Sequence, residues 1–496
     1  MDGSTKRNGV VSKTRLRNPE RSAMLMTLCQ AEPMHDGFAQ DGVEDVDRGR
    51  QWLRRDARRA SRPDADLDAR VARRLSSLVD RSRTLSPLFS ELYADIDNRV
   101  TLQGLPATTK PMLLDRFDEW CTDRAVTRAA IDEFIADTGN VGQRFLGEYL
   151  CSESSGTSGV TGLFVTEESA VTVAAALGVR NRRPPPTAMV RLLAKRMRTA
   201  LIINLKGHHM GAAFYSSRTV AGADSRVRFM SVFDPIDTLA EQLTRFDPAC
   251  ISSYASVVVL LAREQLAGRL SINPAVVLPF SETITAEALQ LMQRAWPHAQ
   301  IIDRYVSNEC MFISARCAHR WHHLNADWVI LEPVDAEYNP VPPGMQSHTV
   351  LLTNLFRRVQ PIIRYDLGDS IVMRPDPCPC GNPLPAFDVV GRSGELLNFT
   401  AAGRLRGISP TVISVTFDET PGVALWQVVR DSPMHLTARI SVEADHDAEV
   451  VAQETRRRLT EILVKSGLST VSVDVIREPP VRNSGGKLVR IVDAHR

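Results

Sequence analysis

Apolar side chains first recur at helical spacing at Leu67, Val71, Leu75 and Leu78, with polar residues between them. A period of about 3.6 predicts a helix with one buried face, and a folded domain that begins there. Downstream the pattern changes. Short β-branched and leucine-rich runs at Leu201 to Asn204, Val276 to Pro279, Val329 to Leu331 and Val350 to Leu352 predict strands, and they alternate with helical windows at Ser256 to Leu266 and Thr285 to Ala295. Such alternation predicts a large layered α/β domain. Glycines and charges from Gly391 to Gly407 mark a boundary. Beyond it, strands near Val423 to Val429, Leu436 to Val442 and Thr470 to Ile476 around a helix at Ala448 to Lys465 predict a small α+β unit. The expected division is an N-terminal extension at 1–65, a large domain at 66–393 and a small, mobile C-terminal domain at 394–496. No internal repeat is present.

Before Leu67 the chain is polar, interrupted by glycine and proline, and ends in Arg54, Arg55, Arg58, Arg59 and Arg62. That composition predicts a disordered basic extension, either a solvated tail or an arm that touches an acidic partner. The rest is ordinary for a globular protein of 496 residues, 43% hydrophobic and 24% charged. A net charge of +2 gives no global reason to expect nucleic acid. No apolar run reaches the length of a membrane span, and Met24 to Cys29 is too short and too late for a signal-peptide core. Eight scattered cysteines do not make a disulfide framework, so the expected compartment is reducing and cytoplasmic. A homodimer is compatible with this composition.

Candidate chemistry starts at Ser154-Ser155-Gly156-Thr157-Ser158-Gly159, between the apolar runs Phe145 to Leu150 and Leu163 to Val165. Glycines let backbone N–H groups approach an anion closely, and hydroxyls add donors, so such a turn can wrap a polyphosphate. It is not a Walker A loop, because Val160-Thr161-Gly162 stands where Gly-Lys-Ser/Thr would follow. Alone it is equally well an ordinary turn. Further pieces follow in order: Tyr305-Val306-Ser307-Asn308-Glu309, Arg364-Tyr365-Asp366-Leu367-Gly368-Asp369, Gly391-Arg392 and Gly485-Gly486-Lys487.

This series resembles the adenylate-forming superfamily of acyl-CoA ligases, in particular its phenylacetate-CoA ligase and capsule-polysaccharide-associated branch, from about Leu67 to the C-terminus. The resemblance implies ATP-dependent activation of a carboxylic acid, with an aryl acid favoured, to an acyl-adenylate, then transfer to a thiol, coenzyme A first among the candidates. The transition state gathers negative charge on phosphoryl oxygens, so the protein must supply positioned cations and dipoles. Lys487 would bridge the carboxylate and the α-phosphate, and Glu309 would hold Mg²⁺. Ser154 to Gly159 would hold the phosphates. Tyr305 would lie against adenine, Asn308 would stand near the α-phosphate, Asp369 would accept from the ribose hydroxyls, and Arg392 would donate to the same sugar or the α-phosphate. Asp369 and Arg392 could instead form a structural ion pair, and so could Arg364.

The series departs from the family pattern. Thr161-Gly162 replaces a Pro-Lys, Val306 a glycine and Asn308 a threonine; Gly394 stands where an acidic hinge residue is usual, so the hinge is expected near Ser393 to Glu395. Other readings remain open on these grounds: a relative that binds nucleotide or acid without turnover, or an enzyme that loads a carrier protein or transfers AMP to an acceptor.

A second cluster is metallic. Cys317 and His323 have five residues between them, and Cys378-Pro379-Cys380 lies about sixty residues on. Three thiolates and an imidazole match a closed tetrahedral Zn²⁺ site, with no position left for a catalytic water. His319 and His322 are rival ligands. Some relatives carry a structural zinc at similar spacing, which here would brace the segment after Glu309 against the loop before Arg392. For the acid, relatives build a pocket near Ile202 to Leu205, Tyr254 and Ser281-Glu282; His208, His209, Phe214 and Tyr215 follow the first of these and suit an aryl acid, unless the last two are core residues of a further strand.

Overall fold

The computed structural model describes residues 66–495 except 98–100, 154–161, 182–183, 204, 206, 220–225, 233, 235, 281–283, 285, 393–396, 402–403, 409–412, 414–415, 418–419, 466–467 and 483–487. The basic extension at 1–65 therefore lies outside the described residues. Helix α1 (Leu67–Leu85) buries Val71, Leu75 and Leu78, the stripe its spacing predicts. Strands β1 (Arg144–Phe145), β2 (Tyr149–Glu153) and β3 (Leu163–Thr166) pair antiparallel in that order. Helix α2 (Glu168–Arg180) follows them.

Next comes a doubly wound unit: β4 (Thr199–Ile203), α3 (Met210–Thr219), β5 (Val227–Ser231), α4 (Ile236–Phe246), β6 (Cys250–Tyr254), α5 (Ala255–Leu266), β7 (Val276–Phe280), α6 (Ala286–Ala295) and β8 (Gln300–Ile301). Its strands are all parallel, in the order β5-β4-β6-β7-β8. Helices cover such a sheet, which is why its strands read as continuous apolar runs such as Val276-Val277-Leu278. Ile202, Ile251 and Val277 pack there with Leu243, Val258, Met292 and Trp296.

The chain then forms β9 (Arg304–Tyr305), β10 (Ser314–Arg316), β11 (His322–Leu324), β12 (Val329–Val334), β13 (Thr349–Asn354), β14 (Tyr365–Asp366), β15 (Asp369–Met373) and β16 (Ala386–Arg392). A five-stranded antiparallel sheet runs β15-β16-β11-β10-β9, and β12-β13-β14 form a second sheet. The main core joins α1, β2, β3, α2 and these strands through Leu75, Phe164, Val165, Leu177, Phe312 and Leu352. It encloses an ion pair. Arg180 meets Asp327 at 2.9 Å, their side chains 4% and 0% exposed, and Arg74 donates to the Asp327 carbonyl at 2.6 Å.

The C-terminal part has its own core. A hairpin, β17 (Leu397–Ala401) and β18 (Arg404–Ile408), precedes β19 (Val423–Ser432), β20 (His435–Val442), α7 (Ala448–Lys465), β21 (Ser472–Ile476) and β22 (Ile491–Asp493). The last four strands form one sheet, β21-β20-β19-β22. Helix α7 sets Val451, Leu459 and Leu463, four or eight residues apart, into the core with Trp426 and Ile440. Gly422 enters β19 at φ +82°, and a Cβ there would stand 2.7 Å from His446 and Val451, so only glycine fits. Among the described residues no helix is long and apolar enough to cross a membrane.

Candidate active site and metal centre

The antiparallel sheet gathers three of the expected nucleotide residues. Asp369 opens β15 opposite Arg392, the last residue of β16. Tyr305 in β9 reaches across the sheet face, its ring centroid 6.3 Å from that of His322 and 6.0 Å from that of Phe387, and its hydroxyl donates to Oδ2 of Asp369. Backbone register thus brings Arg392 beside this pair, while its side chain is not among the described groups. The Asp369 carboxylate is buried.

Glu309 stands on the turn after β9. Its Oε1 accepts from the Tyr365 hydroxyl at 3.1 Å. Its carbonyl accepts from Asn354 Nδ2 at 3.0 Å, and the Asn308 carbonyl from Arg357 Nη1 at 2.9 Å. Asn308 Oδ1 is buried and meets no donor among the described residues. Arg364, at φ +46°, is a structural residue: it pairs with Glu332 at 3.2 Å and donates to the carbonyls of Gln103, at 2.9 Å, and Leu105. Burial pushes the Glu332 carboxyl up, against the pull of Arg364.

Residues Ser154 to Gly159 and Lys487, and with them the expected hinge at Ser393 to Glu395 and the pocket residues Ser281 and Glu282, lie outside the described residues. The turn's flanks are in place, because Glu153 of β2 pairs with Leu163 of β3.

Cys317, His323, Cys378 and Cys380 come together, with one ligand atom from each lying within 4.8 Å of all the others. Cys317 Sγ is 3.7 Å from Cys378 Sγ, and Cys380 Sγ is 3.1 Å from His323 Nε2. His323 Nδ1 lies 3.0 Å from the Leu384 carbonyl; with the proton on Nδ1 donated there, Nε2 keeps its lone pair toward the thiols. Burial lowers the His323 pKa and so favours the neutral ring a metal requires. Gly381, at φ +77°, turns the chain just after Cys380. The rival ligands fall away for a simple reason. Successive residues of a strand point to opposite faces, so His322 turns from the cluster, approaches Ser314 Oγ at 3.0 Å and stacks on Phe387. His319 is exposed and stands outside the cluster.

At the carboxyl ends of the parallel strands, where open α/β sheets take ligands, His208 is buried with Nε2 3.3 Å from the Asp137 carbonyl. Tyr254 and Phe280 end adjacent strands with ring centroids 5.1 Å apart. Phe214 and Tyr215 differ from the strand considered for them. They lie on α3, because the small residues Gly211, Ala212 and Ala213 permit a close-packed helix, and Phe214 packs on Phe312 at 6.2 Å.

Two arginines escaped the sequence reading. Arg357 is buried and donates to the Asn308 carbonyl, and Arg316 lies 3.1 Å from Asp303 and 3.0 Å from Asp388. Their only sequence signal is a charge near an apolar run.

No protein-family model matches this chain. A phenylacetate-coenzyme A ligase of Thermus thermophilus is 25% identical over 227 residues, 40% of this chain and 47% of that protein; the chain thus spans about half the length of the curated relative it matches. Among solved structures, a 2-hydroxyisobutyryl-CoA ligase in the postadenylation state, in complex with R3-HIB-AMP, is similar over 88% of this chain and 92% of its own, with a TM-score of 0.64 and 17% identity. An anthranilate CoA ligase in complex with anthranoyl-AMP gives a TM-score of 0.51 at 14% identity, covering 68% of this chain and 64% of its own. The fold is therefore that of the adenylate-forming ligases, a large α/β domain followed by a smaller one. The sequence match adds a likeness, over those 227 residues, to phenylacetate-coenzyme A ligase.

Proposed function

We propose that this protein is an ATP-dependent, AMP-forming carboxylic acid–coenzyme A ligase. The observation that carries the reading is the convergence of Tyr305, Asp369 and Arg392 at one end of the antiparallel sheet, within a fold shared with acyl-CoA ligases over 88% of the chain. In it, a carboxylate oxygen attacks the α-phosphorus of ATP, pyrophosphate leaves, and the thiol sulfur of coenzyme A then displaces AMP from the acyl carbon. Tyr305 offers its ring to adenine while its hydroxyl orients Asp369 for the ribose, and Arg392 donates nearby. Ser154, Ser155, Gly156, Thr157, Ser158 and Gly159 hold phosphate oxygens, Asn308 lies near the α-phosphate, and Lys487 supplies the cation between the carboxylate and the α-phosphorus.

The Glu309 carboxylate, with one oxygen held by Tyr365, is a hard donor suited to Mg²⁺, which would neutralise phosphate charge. Cys317, His323, Cys378 and Cys380 form a donor set suited to Zn²⁺, in a structural role. The large domain is assigned to 66–393 and the small one to 394–496, turning at Ser393 to Glu395 between the two half-reactions. We assign an aryl acid as substrate and the cytoplasm as compartment, with neither membrane nor nucleic acid as partner.

The test is pyrophosphate release from ATP and Mg²⁺ over a panel of aryl and short-chain acids, with and without coenzyme A, for wild type and Lys487→Ala. Acid-dependent release that falls by about 100-fold or more in the variant supports adenylation. A coenzyme A requirement for turnover supports the ligase over a carrier-loading enzyme. Silence across the panel despite ATP binding overturns the reading in favour of a non-catalytic relative.

A further inference from the structure

Arg357 follows β13 in the loop that leads back to β14 and is 2% exposed. Its guanidinium spreads over two segments far apart in sequence. Nη1 donates to the carbonyls of Asn308 at 2.9 Å and Glu309 at 3.5 Å. Nη2 donates to the Val165 carbonyl in β3 at 3.0 Å and to Gln360 Oε1 at 3.0 Å. Gln360, fully buried, completes the clasp by accepting from the Val165 N–H at 2.7 Å and donating to the Leu163 carbonyl at 3.4 Å. From the other side, the Glu167 carboxylate accepts from the N–H groups of Arg358 at 2.6 Å and Val359 at 3.4 Å.

Burying a guanidinium without a bidentate carboxylate is costly, and an apolar side chain of similar volume often serves a core as well or better. What the arginine adds is geometry. Its planar fork holds several acceptors at fixed separations, which neither lysine nor an apolar residue does. Here the fork sets the distance between β3 and the backbone of Asn308-Glu309. The Glu309 side chain is then held at both ends, by Arg357 and Asn354 through the main chain and by Tyr365 at Oε1.

We infer that Arg357 is a positioning residue for the Glu309 carboxylate, clasping the 308–309 backbone to β3 so that the metal-binding oxygen is aimed before ATP arrives. The inference rests on the ligase reading above. Full-length Arg357→Lys and Arg357→Met are compared with wild type for the Mg²⁺ concentration giving half-maximal ATP–pyrophosphate exchange, for the KM of the acid, for Tm, and for amide hydrogen exchange over residues 305–312. Loss of such support around a metal ligand weakens metal use by about 10- to 100-fold. The expected result is a shift of that size in the Mg²⁺ midpoint, an acid KM within about two-fold of wild type, and faster exchange over 305–312, with lysine milder than methionine. A lower Tm with an unchanged Mg²⁺ midpoint overturns the inference, since it describes a merely structural residue. Where the methionine variant does not fold, the lysine variant, which keeps the buried charge, decides. If wild type shows no exchange reaction the ligase reading fails, while amide exchange still decides the clasp: unchanged protection over 305–312 in the folded variant refutes it.

Discussion

Replacing Cys317 with serine removes one of four ligand atoms that lie within 4.8 Å of one another. If these atoms share a metal, they form a cross-link between Cys317 and Cys378, 61 positions apart. Closing a loop of that length withdraws chain entropy from the unfolded state equivalent to about 4 kcal/mol at room temperature. For a cooperative unit of roughly 330 residues the unfolding entropy is about 0.7 kcal/mol per degree, so the loss appears as a fall in Tm of about 6 °C. The assay is metal analysis of the purified protein, followed by scanning calorimetry of wild type and variant with and without a chelator. The expected result is about one zinc per wild-type chain, a Tm lowered by about 6 °C in Cys317→Ser, and the same fall when wild type is stripped. Wild type that takes up no zinc from a zinc-supplemented buffer, or a variant whose Tm equals that of wild type, would refute the cross-link.

Two further outcomes follow from the buried charges. Asp327→Ala strands Arg180 in the core, and should lower stability by about 3–5 kcal/mol, measured by urea unfolding; a loss below about 1 kcal/mol would mean that water reaches the guanidinium. Burial raises the Glu167 pKa against the N–H groups of Arg358 and Val359 and the charge of Arg357. A carboxyl with a raised folded pKa contributes stability that is present below its unfolded value of 4.5 and lost as pH rises through the folded value. Wild type should therefore lose stability relative to Glu167→Gln as pH rises above 4.5, and a gap that stays constant or moves the other way contradicts the shift.

The helical stripe of α1 and the buried strand runs were legible because periodicity records which face is covered. The gathering of Cys317, His323, Cys378 and Cys380 was legible for another reason: thiols and imidazoles at such spacing have few alternative uses, and strand alternation, once β11 is known, selects His323 over His322. Arg357 was not legible. Beside Arg358 it reads as a surface pair, and only the folding of residues 354–360 against β3 sends one arginine inward and leaves the other half-exposed. Phe214 and Tyr215 misled because aromatic residues after a strand suit either another strand or a packed helix, and local propensity does not decide between them. The hydrogen bond from Tyr305 to Asp369 joins the two outermost strands of one sheet, a proximity set by topology and by nothing local to either residue.

Strands β15 and β16 form a hairpin whose turn carries Cys378 and Cys380 and whose free arm ends at Arg392, where the chain leaves for its C-terminal part. Mechanically this is a cantilever clamped at the far end. Should the small domain turn as proposed above, its load would spread along the β15–β16 ladder toward the turn where Cys378 and Cys380 meet Cys317 and His323. Asp369, paired with Arg392 at the loaded end, would then move with the small domain, and the stiffness of the clamp would govern how far.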